Sequence, residues 1–204
     1  YWEGPRYSSS LPIKWKIVKD PVDKGTAEMT DDPAAAGGKY GTADIVTKKK
    51  YRDFRLHVEF LIPKRGGNSG VYLQNRYEIQ ILDSFHNVTY ADGQAGALYG
   101  QQPPLVNASR KPGEWQSYDI TFTAPEYKDG KVLKPAVLTV MHNGVIIHNA
   151  QDLKGPTKHK KVTEYPATHP EKAPISFQFH GDPIEYRNIW VREIGLQQKK
   201  AEVK

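Results

Sequence analysis

The chain has 204 residues, 29 Lys and Arg against 23 Asp and Glu, a net charge of +6, and no cysteine. That composition excludes a disulfide scaffold, a zinc–thiolate centre and a cysteine nucleophile, and no apolar run approaches the ~20 residues that span a bilayer. Nine lysines crowd into 48–50, 158–161 and 199–204; without them the chain would be mildly acidic, so the positive charge reads as solvated loops and a tail rather than as a nucleic-acid surface.

In chain order, Leu11, Ile13, Trp15 and Ile17 alternate with polar residues or Pro12 and predict a first strand with one buried face. Residues 37–47 read as a glycine-rich entry into a second strand. In 53–62, Phe54, Leu56, Val58, Phe60 and Ile62 form an apolar face opposite Arg55, His57, Glu59 and Leu61. Residues 63–70 form a turn. Two strands follow in NSGVYLQNRYEIQILD (68–83), where Val71, Leu73, Ile79 and Ile81 alternate with Tyr72, Gln74, Glu78 and Gln80. Matching burial on both strands favours a three-residue loop, Asn75 to Tyr77, with Leu73 opposite Ile79 and Gln74 opposite Glu78.

Residues 84–114 are irregular, and a loop of that length is often functional. Residues 114–124 alternate again, and 136–149 form a hairpin turning at Asn143-Gly144, a strong local signal. Residues 150–174 make a second long loop, and 175–194 read as two strands around Gly181-Asp182-Pro183. Residues 197–204 have no apolar face and read as a frayed tail. No long amphipathic helix and no internal repeat is present. Some ten short strands predict an all-β chain, two packed antiparallel sheets in a β-sandwich or jelly roll, as one domain over 1–195 with a flexible basic tail at 196–204.

Seven segments in order, YRDFRLHVEF (51–60), GGNSGVYLQ (66–74), YEIQILD (77–83), GALYG (96–100), PGEWQSYDITF (112–122), the Asn143-Gly144 hairpin and FHGDPIEYRNIWVREI (179–194), resemble the 3-keto-disaccharide hydrolase family. The resemblance implies a curved jelly roll of the concanavalin type, like lectins and glucanases, whose concave sheet carries a sugar site. It also implies cleavage of 3-keto-glycosides. A ketone at C3 acidifies the hydrogen on C2, so a base can remove it, the aglycone can leave C1 by elimination, and water can add afterwards. Such an enzyme needs a base, a group facing the enolate oxygen and an acid for the leaving group. With no dinucleotide motif in the chain, the ketone must come from an upstream 3-dehydrogenating oxidoreductase. The resemblance, with a chain that begins at Tyr1, leads us to expect export to the periplasm or bacterial cell surface.

Glu78 is the first candidate for acid/base work, on the polar face beside Gln74 and Gln80. Glu59 shares that logic on its own strand, with His57 two residues away. Gln178 and His180 point opposite Phe177 and Phe179, and histidine titrates near neutrality. These residues predict a site with Glu78 and His180 facing one another and Glu59, Tyr72, Gln74, Gln80, Tyr99 and Gln178 around them. Glu59, Glu78 and His180 would also serve to hold a divalent ion, although no contiguous ligand motif is present. His86 and Asp92 read as surface-loop residues, and Arg187 as a structural residue paired with a carboxylate. His142, His148, His159 and His169 are assigned no role. The alternative is a non-catalytic carbohydrate-binding module on the same fold, which would carry aromatic platforms and amides rather than titratable groups. An ordinary glycosidase would instead need a carboxylate pair flanking the bond.

Overall fold

The structure, a computed structural model, describes residues 13–25, 27–30 and 42–195. Its strands are β1 (Lys16–Lys19), β2 (Ala27–Thr30), β3 (Ile45–Val46), β4 (Phe54–Leu61), β5 (Asn68–Leu73), β6 (Tyr77–Leu82), β7 (Trp115–Thr123), β8 (Glu126–Lys128), β9 (Lys131–Lys134), β10 (Val137–His142), β11 (Val145–Asp152), β12 (Ser176–Phe177) and β13 (Glu185–Glu193). Seven of them form one sheet in the order β1-β2-β13-β4-β7-β10-β11, four form a second in the order β3-β12-β5-β6, and β8-β9 stand as a separate hairpin. Every pairing is antiparallel. Among the described residues the only helical element is a single 3-10 turn, Ala91–Gly93, and no helix is long and apolar enough to cross a membrane.

The two sheets are joined by the residues that the alternation selects. Phe54, Leu56, Val58 and Phe60 from β4, with Tyr118, Ile120 and Phe122 from β7, meet Val71, Leu73, Ile79, Ile81 and Phe177 from the small sheet in one buried cluster. Burying side chains of this size stabilises by roughly 1.5–3 kcal/mol each, and opposite parity turns every alternate residue away from the cluster. The chain is therefore a β-sandwich, as its alternation predicts.

Several elements differ from expectation. The strand foreseen at Leu11 begins at Lys16. Leu11 lies outside the described residues, and Ile17 is 75% exposed because β1 is an edge strand rather than a core one. Strand β2 and the hairpin β8-β9 carry no clear alternation, although Asp129-Gly130 supplies the two positive-φ residues that the β8-β9 turn needs. In the β5-β6 hairpin the loop has three residues, as predicted, but they are Gln74 to Arg76. Leu73 faces Tyr77, Val71 faces Ile79, and Glu78 faces Tyr72 rather than Gln74. The shift is two residues, so the faces are preserved; the left-handed conformations of Gln74 (φ 49°) and Asn75 (φ 56°) select it. Strand β11 runs on to Asp152 and delays the second long loop. The tail at 196–204 lies outside the described residues.

Candidate functional site

The outer face of the small sheet gathers most of the predicted residues, by register. Tyr72 faces Glu78 on one side and Ser176 on the other, and Gly70 faces Gln80. Beyond Phe177 the pairing continues, since Gln178 donates its backbone N–H to the carbonyl of Gly70 at 2.9 Å. At the other edge Leu98 bridges Ile79, and Tyr99 donates its N–H to the carbonyl of Glu78 at 3.1 Å. One row across the face therefore reads Tyr99, Glu78, Tyr72, Ser176, and the next reads Gln80, Gly70, Gln178. Glu78, Gln80, Tyr72, Tyr99 and Gln178 are all buried, which requires each polar group to be hydrogen-bonded or to bear a cost.

The hydrogen bonds concentrate on Glu78. The Tyr72 hydroxyl donates to its Oε2 at 2.8 Å and in turn accepts from Nε2 of Gln178 at 3.3 Å. The backbone N–H of Glu78 donates to Thr157 Oγ1 at 2.9 Å, so the second long loop fixes this strand. The carboxylate lies over Gly70: a methyl placed on that glycine would fall 2.5 Å from Oε1. Glycine is thus the residue that lets the carboxylate lean across β5. Oε1 of Gln80, in the adjacent row, is buried with no hydrogen-bond partner among the described residues.

Tyr99 links both long loops. The Tyr90 hydroxyl donates to that of Tyr99 at 2.8 Å, which lies 3.1 Å from Nδ1 of His159. The Lys160 ammonium lies 5.0 Å from the centre of the Tyr90 ring. Tyr90 and His159 were not singled out from sequence. Neither belongs to a periodic segment, and only the meeting of two loops about 60 residues apart brings them to Tyr99.

The remaining predicted residues fall elsewhere. His180 is partly exposed and lies beyond the end of β12, where the chain has left the ladder: the N–H of Asn68, the next position along β5, goes to Asp182 Oδ2 at 3.2 Å. The register sets Ser176, not His180, across from Glu78 by way of Tyr72. Gln74 leaves the face entirely: in its left-handed turn it donates Nε2 to the carbonyls of Tyr51 (2.9 Å) and Glu171 (3.1 Å).

Glu59 belongs to the other sheet and points outward from the opposite side of the sandwich. There it binds Arg187 (Nε–Oε2 2.6 Å) and Asn188 (Nδ2–Oε1 2.9 Å). Arg187 also pairs with the buried Asp20 and covers the Trp115 ring at 4.2 Å. Burial works to raise the Glu59 carboxyl, but hydrogen bonds from Asn188 and Arg187 outweigh it and hold the pKa below the ordinary value. Arg187 is a structural ion-pair residue, as its pattern suggested. Because the core separates Glu59 from Glu78, the trio Glu59, Glu78 and His180 does not converge on one ion. Among the described residues no group of three or more His, Asp or Glu side chains is gathered to hold a metal. His86 is an exposed loop residue and Asp92 lies in the 3-10 turn.

A family model described as a 3-keto-alpha-glucoside-1,2-lyase-like domain matches residues 6–192. The crystal structure of a candidate glycosyl hydrolase from Parabacteroides distasonis is 38% identical, with 89% of this chain and 79% of that chain covered and a TM-score of 0.73. Two further candidate glycosyl hydrolases from the same organism share the fold. One is 24% identical (TM-score 0.58, covering 89% of this chain and 100% of that one). The other is 20% identical (TM-score 0.57, covering 89% of each). No protein of curated function matches the sequence.

Proposed function

The chain belongs to the 3-keto-alpha-glucoside-1,2-lyase-like family, and from that premise we propose that it cleaves 3-keto-glycosides by elimination across C1 and C2, with Glu78 as the base. The observation that supports this reading best is the Glu78 carboxylate, buried, held by Tyr72 and laid over the bare backbone of Gly70 on a face of tyrosines and amides. Glu78 takes the proton from C2, the electron pair forms the enolate on the C3 oxygen, and the C1–O bond then breaks to release the aglycone. Water adds across the resulting C1–C2 double bond to complete a net hydrolysis. Tyr72 orients the base. Gln178, and Oε1 of Gln80, which has no partner among the described residues, offer hydrogen bonds to ring hydroxyls. Tyr99, in line with Tyr90 and His159, supplies the proton for the leaving oxygen. The ketone itself must be made by a preceding oxidation of the sugar at C3.

The decisive experiment offers the protein a nitrophenyl glucoside and its 3-keto derivative in parallel, in deuterated water. Release from the keto sugar alone, with deuterium at C2 of the product, is expected. Release from the plain glucoside alone overturns the substrate class, and release from the keto sugar without C2 exchange or a C2–H isotope effect overturns the elimination. Glu78→Gln should lower turnover by about 10²–10⁴-fold, the usual contribution of a general acid or base.

A further inference from the structure

The outer face of the seven-stranded sheet, on the other side of the core, carries a second constellation that this reaction does not use. Trp190 faces His57, His57 faces Asp119, and Asp119 faces Met141, forming one row across four strands. The neighbouring row is Arg192, Arg55, Thr121 and Thr139. Trp190 reaches this face only because β13 bulges between Arg187 and Trp190, with Asn188 at φ 47°. Counting by twos from the buried Tyr186 would otherwise send Trp190 into the core and Val191 out. The bulge reverses both, so Val191 packs against the core while the indole is left 47% exposed. A tryptophan buries more apolar surface than almost any other side chain, so turning one outward forgoes stability that the fold could have had. Bulges that re-aim a side chain in this way recur beside functional sites.

The indole is also held in place. It stacks on the His57 ring with planes 10° apart and centroids at 5.4 Å. His57 is fixed by Asp119 (Nδ1–Oδ1 2.7 Å) and lies 3.4 Å from Asn188 Nδ2. One face of Trp190 is therefore covered by a locked imidazole while the ring stays substantially open to solvent. Beside it lies a cavity of about 340 Å³ lined by Arg55, Asp119, Thr121, Thr139, Met141 and Trp190, within the range of roughly 300–1,000 Å³ typical of small-molecule sites. The cavity carries an indole at one end and a guanidinium, a carboxylate and two hydroxyls along its length, a mixture that suits a sugar. Its C–H face lies on the indole, and its edge hydroxyls find both donors and acceptors. These groups carry charges of both signs, so an uncharged sugar fits better than a strongly anionic one.

We propose that this face is a second, non-catalytic carbohydrate site, with Trp190 as its platform, that holds a neutral glycan away from the reacting centre. The proposal takes from the functional reading only the class of ligand. The test titrates maltohexaose, cellohexaose and xylohexaose into the protein by calorimetry, alongside turnover of a small 3-keto-glucoside. We expect one or more hexaoses to bind, Trp190→Ala to weaken that binding by about tenfold or more, and Trp190→Ala to turn over the small substrate normally. Glu78→Gln should do the opposite, keeping hexaose binding and losing turnover. Arg55→Ala, on the cavity wall and outside the ion-pair network, serves as a second variant should Trp190→Ala fold poorly. The proposal is overturned if none of the hexaoses binds wild type at about 10 mM, or if binding survives both variants. It is equally overturned if Glu78→Gln abolishes hexaose binding, which would place the ligand at the reacting centre. Self-association that depends on Trp190, without sugar binding, would make the face a protein contact instead. Absence of turnover with intact hexaose binding would refute the reaction and leave this site standing.

Discussion

Replacing Gly70 by alanine should separate activity from stability. The added methyl would stand 2.5 Å from Oε1 of Glu78, 3.1 Å from its Cγ and 3.2 Å from its Cδ. The Glu78 backbone cannot follow, because it is paired with Tyr72 in the hairpin and tied to Thr157. The carboxylate must therefore swing. Reaching ordinary contact requires Oε1 to retreat by about 0.9 Å, and a misplacement on the order of 1 Å costs about 10²-fold in rate. The swing also disturbs the 2.8 Å hydrogen bond from Tyr72. The strand itself gains, since alanine is favoured over glycine in a strand interior by roughly 0.5–1 kcal/mol. We expect turnover of a nitrophenyl 3-keto-glucoside to fall about 100-fold while the thermal midpoint moves by no more than about 2–4 °C. A Gly70→Ala protein that keeps its midpoint and retains a rate within about threefold of wild type would refute the placement of the base over Gly70.

Arg187→Met should destabilise by about 3 kcal/mol in urea unfolding, because it leaves the fully buried Asp20 carboxylate without its guanidinium. Burial works to raise the Asp20 carboxyl, but backbone hydrogen bonds from Asp23 and Val22, with Arg187 and Trp115, outweigh it and lower its pKa from 3.8. A depressed carboxyl stabilises above its unfolded pKa and loses that contribution as pH falls through the folded value, so wild type should lose more stability than Arg187→Met on acidification below about pH 4. Burial, with the charge of Arg110, lowers the His142 pKa from 6.5 to about 4. Its unfolded form binds the proton first, so stability should decline as pH falls from 6.5 towards 4, and His142→Gln should flatten that slope in thermal melts. Gln74→Asn should leave KM unchanged and cost about 1–3 kcal/mol, since the shorter amide cannot reach the backbone carbonyls that Gln74 bridges in its turn.

What the sequence determined by itself is set by the period of two. Alternation at 54–62, 71–81 and 115–123 decides which side chains enter the core, because a buried face admits one parity only. The same rule turned Tyr72, Glu78, Gln80 and Gln178 outward together, so most of the candidate site was legible before any contact was known. Parity, however, names a face without saying which sheet owns it. Glu59 and Glu78 both point away from the core, yet they lie on opposite sides of the sandwich, because β4 pairs with β7 and β13 while β6 pairs with β5. Nor does parity survive a change of backbone. The left-handed turn removed Gln74 from the face, and the bulge at Asn188 exchanged Val191 for Trp190. The meeting of Tyr90, Tyr99 and His159 has no periodic signature, since loop residues are positioned by the sheets they cross and not by their neighbours in sequence. Only the tertiary structure decided these, because each depends on pairing or packing between segments far apart in the chain.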